Sequence, residues 1–377
     1  MKKIFMFVNV DWFFFSHRMP IAMNANLRNV EMSVYTDITQ RKDLPQFQGF
    51  NLLQSPLSRS SKNYLLFFLE IFKAYFLILK FKPNLIHAVT IKPIIFLGIV
   101  SRITGTPFIG AISGLGPVFS QETFLHRIRL NIVMLIYKFI FKPNTSIIIC
   151  QNLHDRDVLK RFGVGDEASI FIIPGSGVDL EKFKPLYIEE KVPVILMASR
   201  ILLEKGVYEF CNAAKSFNKT NQKAKFLLAG PIDSSSPNAI SETDIRAICE
   251  DCGVDYLGDR NDLNILLATA SIFVLPSYYP EGVPKVLLEA AASGTAIITT
   301  DHPGCRDAIV DQKTGIIVEP KNSTALELAI TRLLNEPKTL MQMGKAGRIL
   351  AEKLFDEKKV VETHYSLYEK FASKRKD

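Results

Sequence analysis

Two glutamates, an arginine and a lysine in the C-terminal half are spaced so that they could handle a phosphorylated, hydroxyl-rich ligand. Glu281 and Glu289 bracket the segment Glu-Gly-Val-Pro-Lys-Val-Leu-Leu-Glu. The apolar run 272–275 before it reads as a strand, Pro284 suits a first helical turn, and Gly294 suits the C′ position ahead of the run 296–300. Glu281 is therefore expected in a loop and Glu289 inside a helix. Open α/β sheets bind ligands outside the carboxyl ends of their strands, so this loop is where a ligand belongs. Backbone amides around Gly282, Val283, Val286 and Leu287 at the helix start suit a phosphate. Carboxylates beside a phosphate are poor as charges but good as acceptors for sugar hydroxyls. Arg200 and Lys205 follow a second strand candidate, 192–198, and could neutralise a diphosphate, one as a planar fork and the other as a point charge. Each of these residues, taken alone, also reads as a solvated loop or helix charge.

The elements that must position them recur along the chain. Short runs rich in Ile, Val and Phe alternate with helical stretches, the pattern of parallel sheets. Strand candidates are 3–10, 31–36, 84–89, 107–112, 146–150 and 169–173, then 192–198, 225–229, 254–257, 272–275, 296–300 and 315–318. Three helical stretches follow, 323–335, 338–355 and 357–374, with no strand after them. The expected fold class is α/β, two doubly wound Rossmann-like domains. The boundary is expected near 180–191, where Phe183-Lys184-Pro185 and Glu189-Glu190-Lys191 interrupt the apolar periodicity. This divides the chain into 1–185, 186–355 and a terminal helix 356–377 that could pack back on the first domain.

The chain's 377 residues suit two cores, and 47% hydrophobic with 22% charged residues excludes a disordered or fibrous protein. The net charge of +8 is uneven: residues 1–185 hold 22 Lys and Arg against 12 Asp and Glu, while the remainder holds 24 against 26. The basic half is expected to meet something anionic. Helical stretches 64–81 and 124–141 mix aromatic, aliphatic and basic residues. Their internal charges argue against spanning a bilayer, leaving helices that lie on an anionic membrane or pack against the first sheet. Five cysteines without a disulfide framework fit a reducing compartment, and Cys249-x-x-Cys252 reads as helix-end thiols, since no second metal-binding pair follows. The first ten residues read as a strand, not a signal peptide. Asp155-Arg-Asp157 opens a helix, where N-terminal charges explain it better than metal ligation. Neither a Gly-x-Gly-x-x-Gly nor a phosphate-loop lysine motif occurs, which removes the best support for dehydrogenase and kinase readings.

Together these features resemble the retaining glycosyltransferases of family 4, which have the GT-B fold of two domains facing across a cleft. The most specific match is the E-x7-E element from Glu281 to Glu289, and Arg200 and Lys205 match the family's Arg and Lys. Pro174-Gly-Ser-Gly177-Val-Asp179, Leu257-Gly258-Asp-Arg260 and the stretch 304–310 before Gly315 also match. The resemblance implies a nucleotide-sugar donor held by the second domain, with Arg200 and Lys205 on the diphosphate, Glu289 on the ribose, Glu281 on the transferred sugar, and backbone near Arg260 framing the base. UDP-hexose or UDP-N-acetylhexosamine is the implied donor, with GDP-mannose as the alternative. The nucleotide-sugar is a substrate, and no cofactor or metal is expected.

Ser16-His17-Arg18-Met19-Pro20, the His87 segment and Ser113-Gly114-Leu115-Gly116 further resemble bacterial transferases that extend lipid-diphosphate-linked oligosaccharides for O-antigen, capsule or protein glycosylation. The acceptor residues implied are His17, Arg18, His87, Ser113 and Gly114. The implied setting is cytoplasmic, peripheral to the inner face of the cell membrane. The chain departs from many relatives at Ser113 and Val89, where they carry His, and at Asp11-Trp12-Phe13-Phe14, where they carry a Gly-Gly pair. Helical residues eight apart are separated by roughly 12 Å of rise, whereas double displacement needs carboxyls about 5 Å apart. Same-face substitution is therefore expected, with the departing diphosphate helping to take the acceptor proton. A nucleotide-sugar epimerase is the competing enzyme reading. A nucleic-acid-binding module is disfavoured because the basic half lacks clustered Lys/Arg runs.

Overall fold

A computed structural model describes residues 1–39, 49–55, 64–116, 124–186, 192–220, 222–234 and 236–373. The chain divides into two compact units, Met1–Ser176 with Lys358–Asp377, and Gly177–Glu357.

The first unit runs β1 (Lys2–Val8), α1 (Asp11–His17), α2 (Met19–Met23), β2 (Val30–Thr36), β3 (Phe50–Gln54), α3 (Tyr64–Phe81), β4 (Leu85–Val89), α4 (Ile91–Thr104), β5 (Phe108–Ile112), α5 (Phe124–Ile140), β6 (Ser146–Cys150), α6 (Leu153–Arg161) and β7 (Ile170–Ile172). Its seven strands are ordered β3-β2-β1-β4-β5-β6-β7, and every pairing is parallel. All five residues of β4, β5 and β6 are buried, which is why these strands read as unbroken apolar runs rather than alternating ones. The edge strand β3 is absent from the sequence expectation. Its residues Phe-Asn-Leu-Leu-Gln are half-buried or exposed, and among the described residues one neighbour, β2, pairs with it, so it carries no such run.

The second unit runs β8 (Val194–Ala198), α7 (Val207–Phe217), β9 (Lys225–Ala229), α8 (Glu242–Cys252), β10 (Val254–Tyr256), α9 (Leu263–Thr269), β11 (Ile272–Leu275), α10 (Lys285–Ala292), β12 (Ala296–Thr300), β13 (Gly315–Val318), α11 (Ser323–Asn335) and α12 (Pro337–Leu350). Its six parallel strands are ordered β10-β9-β8-β11-β12-β13. Both sheets begin a new direction of growth beside their first strand, the topology that leaves a ligand crevice at the carboxyl ends. Cys211, Cys249 and Cys252 are buried together in this unit's core.

The expected boundary at Pro185 needs correction. Residues 177–185 belong to the second unit: Val178 N–H donates to Phe355 O at 2.8 Å, Phe183 lies in the unit's core, and Arg348 donates to the carbonyls of Leu180 and Phe183. The Glu189-Glu190-Lys191 run lies outside the described residues. The helix expected over 338–355 ends at Leu350 and passes into a π-type turn, Ala351–Phe355, where Val178 docks.

The last helix, α13 (Glu357–Ala372), supplies its residues from Lys358 onward to the first unit. Val360, Val361, Tyr365, Leu367, Tyr368 and Phe371 join the core formed by β1, β2 and α2. Polar contacts fix its register: Tyr365 hydroxyl donates to Ile21 O at 2.7 Å, and Arg28 pairs with Glu362.

Candidate active site

In the second unit, the carboxyl ends of β8, β9 and β11 assemble a cluster around residues that the sequence singled out. Arg200 follows β8, and Lys205 lies in a short 3-10 turn, Leu203–Lys205, ahead of α7. Glu281 sits in the loop between β11 and α10, and Lys205 Nζ donates to Glu281 Oε1 in a largely buried ion pair. Arg200 Nη1 donates to Asp233 Oδ2 at 2.6 Å, in the loop after β9. Both cations approach the ring of Tyr279, with Lys205 Nζ 5.2 Å and the Arg200 guanidinium 6.0 Å from its centroid. Ser277 Oγ lies 3.5 Å from Glu281 Oε1.

Backbone close approach shapes this loop. Gly304 adopts φ +85°, and a Cβ there would stand 2.1 Å from Gly282 O. Gly230 after β9 adopts φ +140°, and a Cβ there would meet Ser199 O at 1.8 Å. Only glycine allows both approaches.

α10 begins one residue later than expected, at Lys285, so Pro284 precedes its first turn instead of lying in it. Pro284 is extended at the N-cap with ψ 124°, and the helix stops at Gly294 with φ +73°. Leu287 N–H already donates to Pro284 O at 3.0 Å, so the amides available to a ligand lie nearer Gly282 than expected. Val283 and Leu287 are buried apolar residues of the unit's core, while Val286 is half-buried. Glu289 is half-buried on α10, and burial raises its carboxyl pKa against the opposing pull of Lys285 and Lys182. Arg260 is exposed and forms a fork with Asp262, at 2.8 and 2.6 Å. Cys305 is buried near the Glu281 and Lys205 pair, and burial, with Glu281 second, pushes its thiol up to about 11. At neutral pH it is a thiol, not a nucleophile.

The first unit holds the other residue set. His17 ends α1, stacked on Phe13 at 4.2 Å, with Ser16 Oγ against its Nδ1. Ser113 and Gly114 follow the carboxyl end of β5, and Gly114 adopts φ +100°. Ser113 Oγ is buried without a partner among the described residues.

Two expected acceptor contacts need correction. His87 is fully buried inside β4, and its Nδ1 meets Tyr368 OH of α13 at 2.7 Å, so it serves the joint with α13 rather than a solvent-facing ligand. Arg18 is 2% exposed, its Nη1 donates to His17 O at 3.0 Å, and burial brings its pKa down to about 10 while Tyr368 acts in the opposite sense.

Comparison with known proteins agrees with both halves. The family model "Glycosyl transferases group 1" matches residues 178–350, and "Glycosyl transferase 4-like" matches residues 3–152. The chain is a GT-B glycosyltransferase of the family 4 type. Among curated relatives, the N,N'-diacetylbacillosaminyl-diphospho-undecaprenol alpha-1,3-N-acetylgalactosaminyltransferase of Campylobacter jejuni is 29% identical, with 94% of each chain covered. The UDP-Gal:alpha-D-GlcNAc-diphosphoundecaprenol alpha-1,3-galactosyltransferase of Escherichia coli is 28% identical, covering 73% of this chain and 72% of its own. Sucrose-phosphate synthase from Thermosynechococcus elongatus has the same fold, with TM-score 0.80, 21% identity, and 99% and 100% of the two chains covered.

Sequence reasoning missed several residues of this glycosyltransferase's candidate site. Asp233 and Tyr279 touch the two cations, yet neither type nor spacing marked them. The only signal was position, since each follows a strand's carboxyl end. Thr90, after β4, adopts φ +74°, and its hydroxyl is buried without a partner among the described residues. A β-branched residue with positive φ is a strained position of the kind that gathers at functional sites. Asp155 is accounted for locally: its amide donates to the side chain of Asn152, which caps α6. Among the described residues, no three His, Cys, Asp or Glu stand close enough to hold a metal ion, and no helix is long and apolar enough to cross a membrane.

Proposed function

We infer that this glycosyltransferase moves a hexose or N-acetylhexosamine from a UDP-sugar to a saccharide on a lipid diphosphate, with retention, at the inner face of the cell membrane in surface-glycan assembly. The observation that carries this reading is the Lys205 and Glu281 ion pair with Arg200 near the same Tyr279 ring. An ion pair of this kind suits a ligand that brings negative charge and hydroxyls together. The arriving diphosphate takes over the cations, and Glu281 becomes available to a sugar hydroxyl. Glu289, with its raised pKa, suits the ribose hydroxyls. The positive charge of Arg200 and Lys205 answers the charge that grows on the departing diphosphate, so no metal need do so. That diphosphate then accepts the proton of the attacking hydroxyl as the new glycosidic bond forms on the same face. In the first unit, the Ser113 and Thr90 hydroxyls and His17 are the groups offered to the acceptor. The acceptor class is supported by the relatives, whose names specify undecaprenol-diphosphate sugars.

The test is a thermal-shift screen against UDP, GDP, their common sugars and adenine controls. One UDP-sugar should stabilise the protein selectively, by about 2.7 kcal/mol at a hundredfold excess over its Kd, and Glu289→Ala or Arg200→Ala should abolish the shift while still folding. Stabilisation by GDP-mannose alone would move the donor assignment to mannose. Donor isomerised without any acceptor would favour the epimerase reading.

A further inference from the structure

The outer surface of the first unit's helical layer has no role in the site described above. α4 packs against both α3 and α5 and is buried along most of its length, whereas its two neighbours each leave a face to solvent. Along α5, Phe124, Ile128, Ile132, Leu135 and Phe139 are exposed at intervals of three and four, which aligns them as one stripe. Exposed Arg127, Asn131 and Lys138 run along one border of that stripe and Arg129 along the other. On α3, Leu69, Phe72, Phe76 and Leu79 are exposed, beside exposed Lys73 and Lys80. The inward faces carry the packing instead, with Ala74 and Ile78 on α3, and Leu130, Met134, Tyr137 and Ile140 on α5. α5 contains no carboxylate, and the only one in α3, Glu70, is buried, where it accepts from Tyr35 OH at 3.1 Å. A cavity of about 550 Å³ opens on this surface between α3 and β2–β3. Leu53, Phe76 and Leu77 supply its apolar walls, and Gln54, Lys73 and Lys80 its polar ones.

Scattered exposed apolar residues need no explanation, but two continuous stripes bordered by cations, with no exposed carboxylate on either helix, do. A second copy of this chain would set like charges against like. A layer with negative headgroups above an apolar interior satisfies both parts of the pattern. We propose that the outer face of α3 and α5 rests on an anionic phospholipid bilayer, and that the cavity seats one lipid phosphate. Lys73 and Lys80 meet the phosphate, and Phe76 and Leu77 meet its glycerol and first methylenes. This deepens the membrane reading above, but its evidence is the surface itself, not the sugar site.

The test uses the full chain and vesicles of phosphatidylcholine with and without roughly one-third phosphatidylglycerol. The protein should float with the anionic vesicles only, and less as salt rises. Lys73→Gln with Lys80→Gln should weaken partitioning about 25-fold, near fivefold for each charge. Titration with dihexanoyl-phosphatidylglycerol below its micelle concentration should saturate at one site, be lost in the Lys73→Gln, Lys80→Gln pair, and survive in Arg127→Gln with Lys138→Gln. Glycerol phosphate should bind far more weakly than the short lipid, because it lacks the methylenes. Equal flotation with neutral vesicles, unchanged short-lipid binding in the Lys73, Lys80 variant, or a lipid-free dimer that Phe72→Ser with Phe139→Ser dissociates would each overturn the proposal. Sugar transfer to a detergent-dispersed acceptor should be the same in every variant. A chain that floats but transfers nothing would count against the proposed function and leave this inference standing.

Discussion

Lys205 and Glu281 define each other's state, so each substitution must be read through its partner. Lys205→Ala leaves Glu281 half-buried without its cation, a situation that costs more than the pair itself contributes. Loss of one preorganised charge at the departing diphosphate should lower kcat by about 10²- to 10³-fold. Glu281→Gln keeps the shape and a hydrogen-bonding oxygen, and it frees Lys205 for the phosphates. We expect kcat to fall while nucleotide affinity holds or improves, so that steady-state transfer kinetics with equilibrium UDP titration separate the two roles. Equal losses of UDP affinity in both variants would contradict that assignment. These two residues were legible in the sequence because charge type and strand-end spacing marked them. Asp233 and Tyr279 were not, since aspartate and tyrosine in loops are common and only the folded loops bring them to Arg200 and Lys205.

Among the elements, the loop before α10 depends on the backbone that passes beneath it. Gly304→Ala would place a methyl 2.1 Å from Gly282 O while forcing an L residue to φ +85°. Both effects oppose the native loop, and strain of this kind costs on the order of 1–3 kcal/mol. The expected result is a lower melting temperature together with weaker nucleotide binding. A variant of unchanged stability would show that the loop yields easily. The regular elements were largely legible: β6, β9, β11, β12 and β13 coincide with the expected runs, because strands buried mostly on both faces are predominantly apolar. β3 escaped because an edge strand is released from that constraint. Residues 177–185 were assigned to the wrong unit because their partners, Phe355 and Arg348, lie more than 150 residues away.

The molecule's first unit carries a buried polar cluster whose titration should reach its whole stability. His87 and His364 lie 5.7 Å apart, with Tyr368 and Arg18 beside them. Burial holds the His364 pKa down to about 3 and His87 well below its ordinary 6.5, with Arg18 adding to both. The unfolded chain therefore takes up these protons before the folded one does. Stability is complete above about pH 6.5 and is lost as pH falls, His364 contributing about 1.4 kcal/mol per pH unit until its folded pKa of about 3 is reached and His87 acting in the same direction. Melting temperature followed from pH 7.5 to 4.5 should fall, and His364→Phe should flatten the profile. An unchanged slope would place the acid sensitivity elsewhere.

What the sequence by itself determined was local and periodic. Apolar runs marked the parallel strands, proline and glycine marked the ends of α10, and two carboxylates with two cations marked a candidate site for a phosphorylated sugar. The uneven charge marked which half is expected to meet an anion, though not with which residues. Tertiary structure decided everything that depends on partners distant in the chain. It paired Lys205 with Glu281 and Arg200 with Asp233, and it turned the aromatic stripes of α3 and α5 outward. It also removed Arg18 and His87 from the surface, His87 by contact with Tyr368 of α13, 281 residues further along. A histidine's type says that it can bind or titrate. Only its burial and neighbours decide whether it does either.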